Sequence, residues 1–240
     1  MKKILFGLVF SILVLALFTG CPKSNKTIIR YQKMEEKVDH PTSIEELKEA
    51  IAKYENRVAD IQLANQQIAI WYKMLGTRYV DAKMYGEALK CFQKALEFYP
   101  NNQNLYYWVG VCAGYMSHAA MDFSGTGSTQ LRMNYLKLAE DAYSRAIQID
   151  DRFVRALYGL SVIYVFELGE SQKAIPLLEK VMEIETKDFN AMFVLARAYY
   201  ENYEFDKAVK IYDKIMSLTK AADIVNAAQD LKKQVLDASY

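Results

Sequence analysis

For acid–base, nucleophilic or metal chemistry this 240-residue chain offers two histidines, three cysteines and dispersed carboxylates. His40 and His118 stand far apart, and neither His-Glu-x-x-His nor Cys-x-x-Cys occurs, so the spacing for a zinc site is missing. There is no Gly-x-Ser-x-Gly to raise a serine nucleophile. Gly125-Thr126-Gly127-Ser128 has the glycines of a phosphate loop, but no Lys-Ser/Thr ending and no preceding strand, and it reads as a flexible hairpin tip. Asp150-Asp151 stands where a turn belongs and suits turn and capping chemistry. The expectation is a non-enzymatic protein without metal or cofactor, in which side chains bind and do not transform.

The one cysteine placed for covalent chemistry is Cys21. Lys2 and Lys3 precede an apolar run from Ile4 to Phe18, too short for an ordinary spanning helix and suited to a signal-peptide core. The run closes in Leu17-Phe18-Thr19-Gly20-Cys21, which resembles a bacterial lipobox, although Phe18 stands where Leu is commonest. The resemblance implies a leader over residues 1–20 and a palmitate-type acylated Cys21 as the first mature residue. Two or three acyl chains hold a protein to a membrane firmly, where one alone is marginal. Pro22 and Lys23 follow with no Asp next to the cysteine. By resemblance to the enterobacterial sorting rule this favours the periplasmic face of an outer membrane, where the cell has one. Residues 21–41 then form a lipidated tether reaching roughly 25 Å. Cys91 and Cys112 are too few for a disulfide framework. They read as small core residues, though an envelope compartment would permit them to pair.

Bulk properties narrow the class further. Hydrophobic residues make up 52%, so a packed core is expected. Only 10 Gly and 4 Pro argue against a turn-rich β fold. Of 30 basic residues the leader holds Lys2 and Lys3, leaving 28 against 29 acids. A near-neutral chain has no basic excess for phosphates, so no nucleic-acid partner is expected.

From Thr42 the apolar spacing is helical. Thr42 with Glu45, or Ser43 with Glu46, forms a capping box at the first helix. Residues 69–102 then carry Tyr72, Leu75, Gly76, Tyr79, Ala88, Phe92, Ala95 and Pro100. Looser versions follow. Tyr106, Val109, Gly110, Ala139, Tyr143 and Ala146 fall in residues 103–153. Leu157, Leu160, Tyr164, Ala174 and Leu178 fall in 154–188, with one extra residue assigned to the turn. Met192, Leu195, Ala196, Tyr199, Ala208 and Tyr212 fall in 189–222. This pattern resembles the tetratricopeptide (TPR) repeat, a helix pair repeating every 34 residues or so. The resemblance implies an all-α fold, a right-handed superhelical solenoid spanning residues 42–240, with a degenerate half repeat at 42–68 and a capping helix at 223–238. The small residues mark close crossings of paired helices. Pro176, early in a helix expected to be capped by Ser171, reads as a tolerated bend.

Two features point to binding. The second repeat is split by a 17-residue insertion, Tyr115 to Leu131. It reads as an extended hairpin, with Ser128 or Thr129 capping its second arm. Such insertions project from one face, often the binding face, and the hairpin either meets a partner or packs on its neighbours. In the resembled family, the first helix of each pair lines the concave groove. Carried onto this chain, that surface begins with Ile70, Lys73, Thr77, Val80 and Asp81. It continues through Asn104, Tyr107, Val111, Gly114 and Tyr115, then Arg155, Tyr158, Val162, Val165 and Phe166, then Asn190, Phe193, Arg197, Tyr200 and Glu201. An apolar, aromatic floor with a few polar groups suits a protein or peptide partner, or an apolar ligand. The C-terminal helix or a sister subunit in a homo-oligomer could fill it instead.

The resemblance therefore implies a membrane-anchored scaffold or adaptor in cell-envelope assembly, comparable with TPR lipoproteins that help assemble outer-membrane barrels or pilus secretins. The alternative is an accessory, ligand-holding subunit of a TRAP-type solute transporter, as some spirochaetal TPR lipoproteins are.

Overall fold

The computed structural model describes residues 43–120 and 126–238. The expected leader, Cys21, the expected tether and the insertion residues 121–125 lie outside the described residues. Among those described there are nine α-helices and no strand. In chain order they are α1 (Ile44–Asp81), α2 (Tyr85–Phe98), α3 (Gln103–Ala119), α4 (Thr126–Ile149), α5 (Val154–Val162), α6 (Ser171–Ile184), α7 (Phe189–Glu201), α8 (Phe205–Leu218) and α9 (Ala222–Ala238). A π-helical segment, Ile163–Leu168, continues α5. The chain divides into two compact units, residues 1–62 and 63–240, and the division falls inside α1. No helix among the described residues is long and apolar enough to cross a membrane.

α1 differs from the sequence reading. A half repeat ending at residue 68 implies a turn there, yet α1 runs unbroken to Asp81. No Gly or Pro interrupts residues 44–75, so nothing in the backbone chemistry stops the helix. Of the two capping boxes, Ser43 with Glu46 forms. The Glu46 N–H donates to Ser43 Oγ at 3.2 Å, and the Ser43 N–H donates to Glu46 Oε2 at 3.1 Å.

In the second unit, helices pair as first and second arms of successive repeats. Small residues lie at the crossings: Ala88, Ala139, Ala174 and Ala208 on the second arms and Ala196 on a first arm are fully buried. Phe92, Leu105, Leu136, Leu157, Leu178, Met192 and Ile215 fill the spaces between. Asn102 and Asp188 cap α3 and α7, each accepting a backbone N–H in the first turn. A polar link recurs between repeats. Tyr164 Oη donates to Glu140 at 3.0 Å, and Tyr199 Oη donates to Glu179 at 2.6 Å. Burial, then the partner carboxylate, pushes both phenols up, so they stay protonated and able to donate.

Two details of the third repeat correct the sequence reading. The extra residue does not lengthen the turn. It is absorbed in the first arm as the π-helical turn Ile163–Leu168. The turn itself keeps its form: left-handed Gly169 (φ 66°) stands where Lys83 (φ 59°) and Tyr203 (φ 60°) stand in the first and fourth repeats. Ser171 is not the cap of α6; Glu170 holds that place. Ser171 is free to turn away and donates to Glu201 of the next repeat.

Candidate functional site: the inner face of the first arms

The second and third repeats bring together Asn104, Tyr107 and Arg155, which are 51 residues apart at their extremes. Arg155 Nη2 donates to Asn104 Oδ1 at 2.7 Å. Its guanidinium lies over the Tyr107 ring at 4.9 Å and over Phe153 at 5.0 Å. Tyr107 in turn meets Phe153 edge-on at 5.8 Å and Trp108 at 5.3 Å. An arginine stacked on rings and held by an amide loses little freedom when it binds, because the fork is already oriented. Arg155 remains exposed. Phe153, which sequence reasoning missed, precedes the repeat pattern and caps α5 through its backbone, so no periodicity marks it.

Tyr107, Val111, Tyr158, Val162, Phe193 and Tyr200 are half-buried, each packed against the main core. They are at once floor of the face and wall of the core. Burial pushes the phenols of Tyr107 and Tyr158 up, so both are neutral donors at any ordinary pH. Asn190 is exposed on α7.

At the C-terminal end the face is partly occupied by the chain itself. Arg197 Nε donates to Glu201 at 2.6 Å and lies over Tyr200 at 5.6 Å. Leu231, Gln234 and Val235 of α9 close on Arg197, Tyr200 and Tyr212 around a cavity of about 60 Å³. Phe193 leans on Tyr212 at 6.2 Å.

Two other residues assigned to the groove lie differently from their equivalents. Phe166 falls within the π-helical turn, where an added residue rotates the following side chains, and it is 57% exposed. Tyr115 stacks on Tyr85 of α2 at 4.0 Å, with rings nearly parallel. This begins the insertion, whose arms dock on both neighbours. Met116 Sδ reaches the space over Gly86 of the first repeat. His118 Nε2 and Arg132 Nη2 lie 3.1 Å and 2.8 Å from the two carboxylate oxygens of Glu167 in the third. The second arm begins at Thr126, ahead of the caps expected at Ser128 or Thr129.

Among the described residues no three His, Cys, Asp or Glu side chains stand close enough to hold a metal. Cys91 and Cys112 are buried free thiols.

Comparison with known proteins agrees with the paired-helix fold. Tetratricopeptide-repeat models match residues 69–102 and 165–235. The chain is 26% identical over 173 residues to a TPR repeat-containing protein of Borreliella burgdorferi, covering 72% of this chain and 73% of that one. It is 24% identical over 147 residues to a TPR repeat-containing protein of Methanocaldococcus jannaschii, of whose length it spans 22%. Among solved structures it is similar to MamA 41-end from Desulfovibrio magneticus RS-1, with TM-score 0.53 and 15% identity over 70% of this chain and 93% of that one. It is similar also to YrrB, described as a TPR protein with an unusual peptide-binding site, with TM-score 0.54 and 18% identity over 75% of this chain and 89% of that one. With the motif residues at the helix crossings and paired helices stacked through the second unit, the chain belongs to the tetratricopeptide-repeat family.

Proposed function

We propose that this protein is a lipid-anchored envelope scaffold that captures a protein or peptide partner on the inner face of its first arms. The observation that carries the reading is Arg155, oriented by Asn104 and stacked on Tyr107 and Phe153, exposed beside half-buried aromatic side chains. An oriented guanidinium recognises a carboxylate in fixed geometry, and the aromatic floor supplies apolar contact beside it. The peptide-binding description of YrrB supports the same use of this fold. The anchor is Cys21, on the strength of Lys2, Lys3, the short apolar run and Gly20-Cys21.

A photoreactive phenylalanine analogue placed at Val162 or Phe193, and at Glu87 as the control, tests the face in intact cells. Discrete adducts from the first two positions and none from Glu87 are expected; an identical adduct pattern at all three would sink the proposal. The anchor is tested separately by Cys21→Ala, which is expected to move the protein out of the detergent phase on phase partition. Retention there would refute lipidation at Cys21.

A further inference from the structure

α1 carries a second pattern, which repeat packing does not use. From its first residue the apolar positions advance by alternate steps of three and four: Ile44, Leu47, Ile51, Tyr54, Val58 and Ile61. From residue 44 to 61 every large apolar side chain keeps to these positions, a narrower stripe than a helix on a globular core presents and the width of a coiled-coil seam. The positions between are mostly polar, among them Glu45, Glu49, Lys53, Asn56 and Asp60. Five of the seam residues are open: Ile44 is 67% exposed, Leu47 45%, Ile51 56%, Val58 53% and Ile61 61%. Most helical stability in proteins comes from packing an apolar stripe against a partner, and this stripe has none within the described chain.

We infer that residues 44–68 pair in parallel with the same residues of a second copy of this chain. The same spacing runs on in the sequence to Asn65 and Ile68. In heptad terms, Ile44, Ile51, Val58 and Asn65 occupy the first core position, and Leu47, Tyr54, Ile61 and Ile68 the second. β-Branched residues at the first position with Leu47 at the second suit two parallel strands, Ile61 and Ile68 at the second pull towards more, and the single asparagine at a first position sets register and strand number. Only parallel, in-register pairing puts each Asn65 opposite its own copy, where the two amides satisfy one another. In an antiparallel pair first positions face second positions, and Asn65 would meet an apolar side chain.

The length of the preceding chain points the same way. Residues 22–42, folded back as a helix at 1.5 Å per residue, would extend along α1 to about residue 64 at most. With residues 1–20 removed, as the proposed anchor at Cys21 requires, they cannot supply a mate for Asn65. A parallel pair also leaves both N-terminal ends on one side, as two chains tethered to one membrane surface require.

The test uses the full chain in excess detergent, with Asn65→Cys compared with Gln67→Cys, which faces away from the seam. Both variants keep Cys21, Cys91 and Cys112, so the difference reads the new thiol. Mild oxidation is expected to convert most of the Asn65→Cys chain to a covalent dimer and little of the Gln67→Cys chain. The unaltered protein is expected to sediment at twice the chain mass. Ile51→Glu with Val58→Glu is expected to halve that mass and leave the thermal midpoint of the repeats unchanged. A monomeric unaltered chain overturns the proposal, as do equal cross-linking at 65 and 67 and a monomer whose seam is protected by its own residues 22–42.

Discussion

The Tyr143 ring lies so close to Gly110 that a Cβ on the glycine would meet Cε1 at 2.7 Å. The same ring touches Gly159 of the next repeat, where a Cβ would meet Cζ at 2.8 Å. One aromatic side chain is thus clasped by two glycines from successive first arms. Tyr143 is 5% exposed and has no slack on either side. Gly110→Ala and Gly159→Ala are each expected to lower stability by roughly 1–3 kcal/mol, since an added methyl in a filled core forces a shift. Gly76→Leu, against Phe92, should cost at least as much, whereas Glu87→Leu on the partly exposed side should stay within about 0.5 kcal/mol. Urea midpoints check the set, and equal midpoints for Gly159→Ala and Glu87→Leu would contradict the clasp.

Glu167 ties the inserted hairpin to the third repeat. Its carboxylate is 11% exposed and accepts from Arg132, whose Nε is buried with no hydrogen-bond partner among the described residues. Glu167→Ala leaves that guanidinium still less satisfied and should cost about 1–3 kcal/mol. The loss should be local. Hydrogen exchange is expected to quicken around residues 115–120 and 129–135 while α7 and α8 keep their protection. Uniform quickening through every repeat would show that the contact supports the whole fold and does not act as a strap.

Burial pushes the Cys112 thiol from 9.0 up to about 12 and leaves it with no exposed surface. In the native protein it should resist a maleimide at pH 8 and react only after unfolding. The linkage has a sign. Between about pH 9 and 12 the unfolded thiol ionises and the folded one does not, so its contribution to stability is intact below pH 9 and falls as pH rises. Rapid native labelling at Cys112 would refute the burial.

On the inner face, Arg155→Lys keeps the charge and loses the planar stack on Tyr107 and Phe153. Partner capture is expected to weaken about tenfold or more, with the thermal midpoint nearly unchanged because Arg155 is exposed. Tyr158→Ala and Phe193→Ala should behave otherwise. Both pack against the core, so each should lose capture and stability together, by about 1–3 kcal/mol. Capture unaffected by Arg155→Lys would remove the arginine from the site.

What the sequence determined by itself follows from short-range periodicity. Helical spacing together with small residues at Gly76, Ala88, Gly110, Ala139, Ala174, Ala196 and Ala208 implied stacked helix pairs, because a close helix crossing tolerates nothing larger. The candidate face came from the resemblance and not from periodicity: the family pattern implies that equivalent positions of successive first arms line it. Tertiary structure decided the rest. The sequence pattern shows that the third repeat has an extra residue. Backbone hydrogen bonding decides that it enters the helix as a π turn and leaves the turn at Gly169 unchanged. Gly159 lies off the repeat pattern and is needed only because Tyr143 arrives from another repeat. Arg155 meets Asn104, and Glu167 meets His118 and Arg132, across separations that no local spacing encodes. Periodicity records which side of a helix is buried; which distant side chain lies against it depends on how whole helices pack.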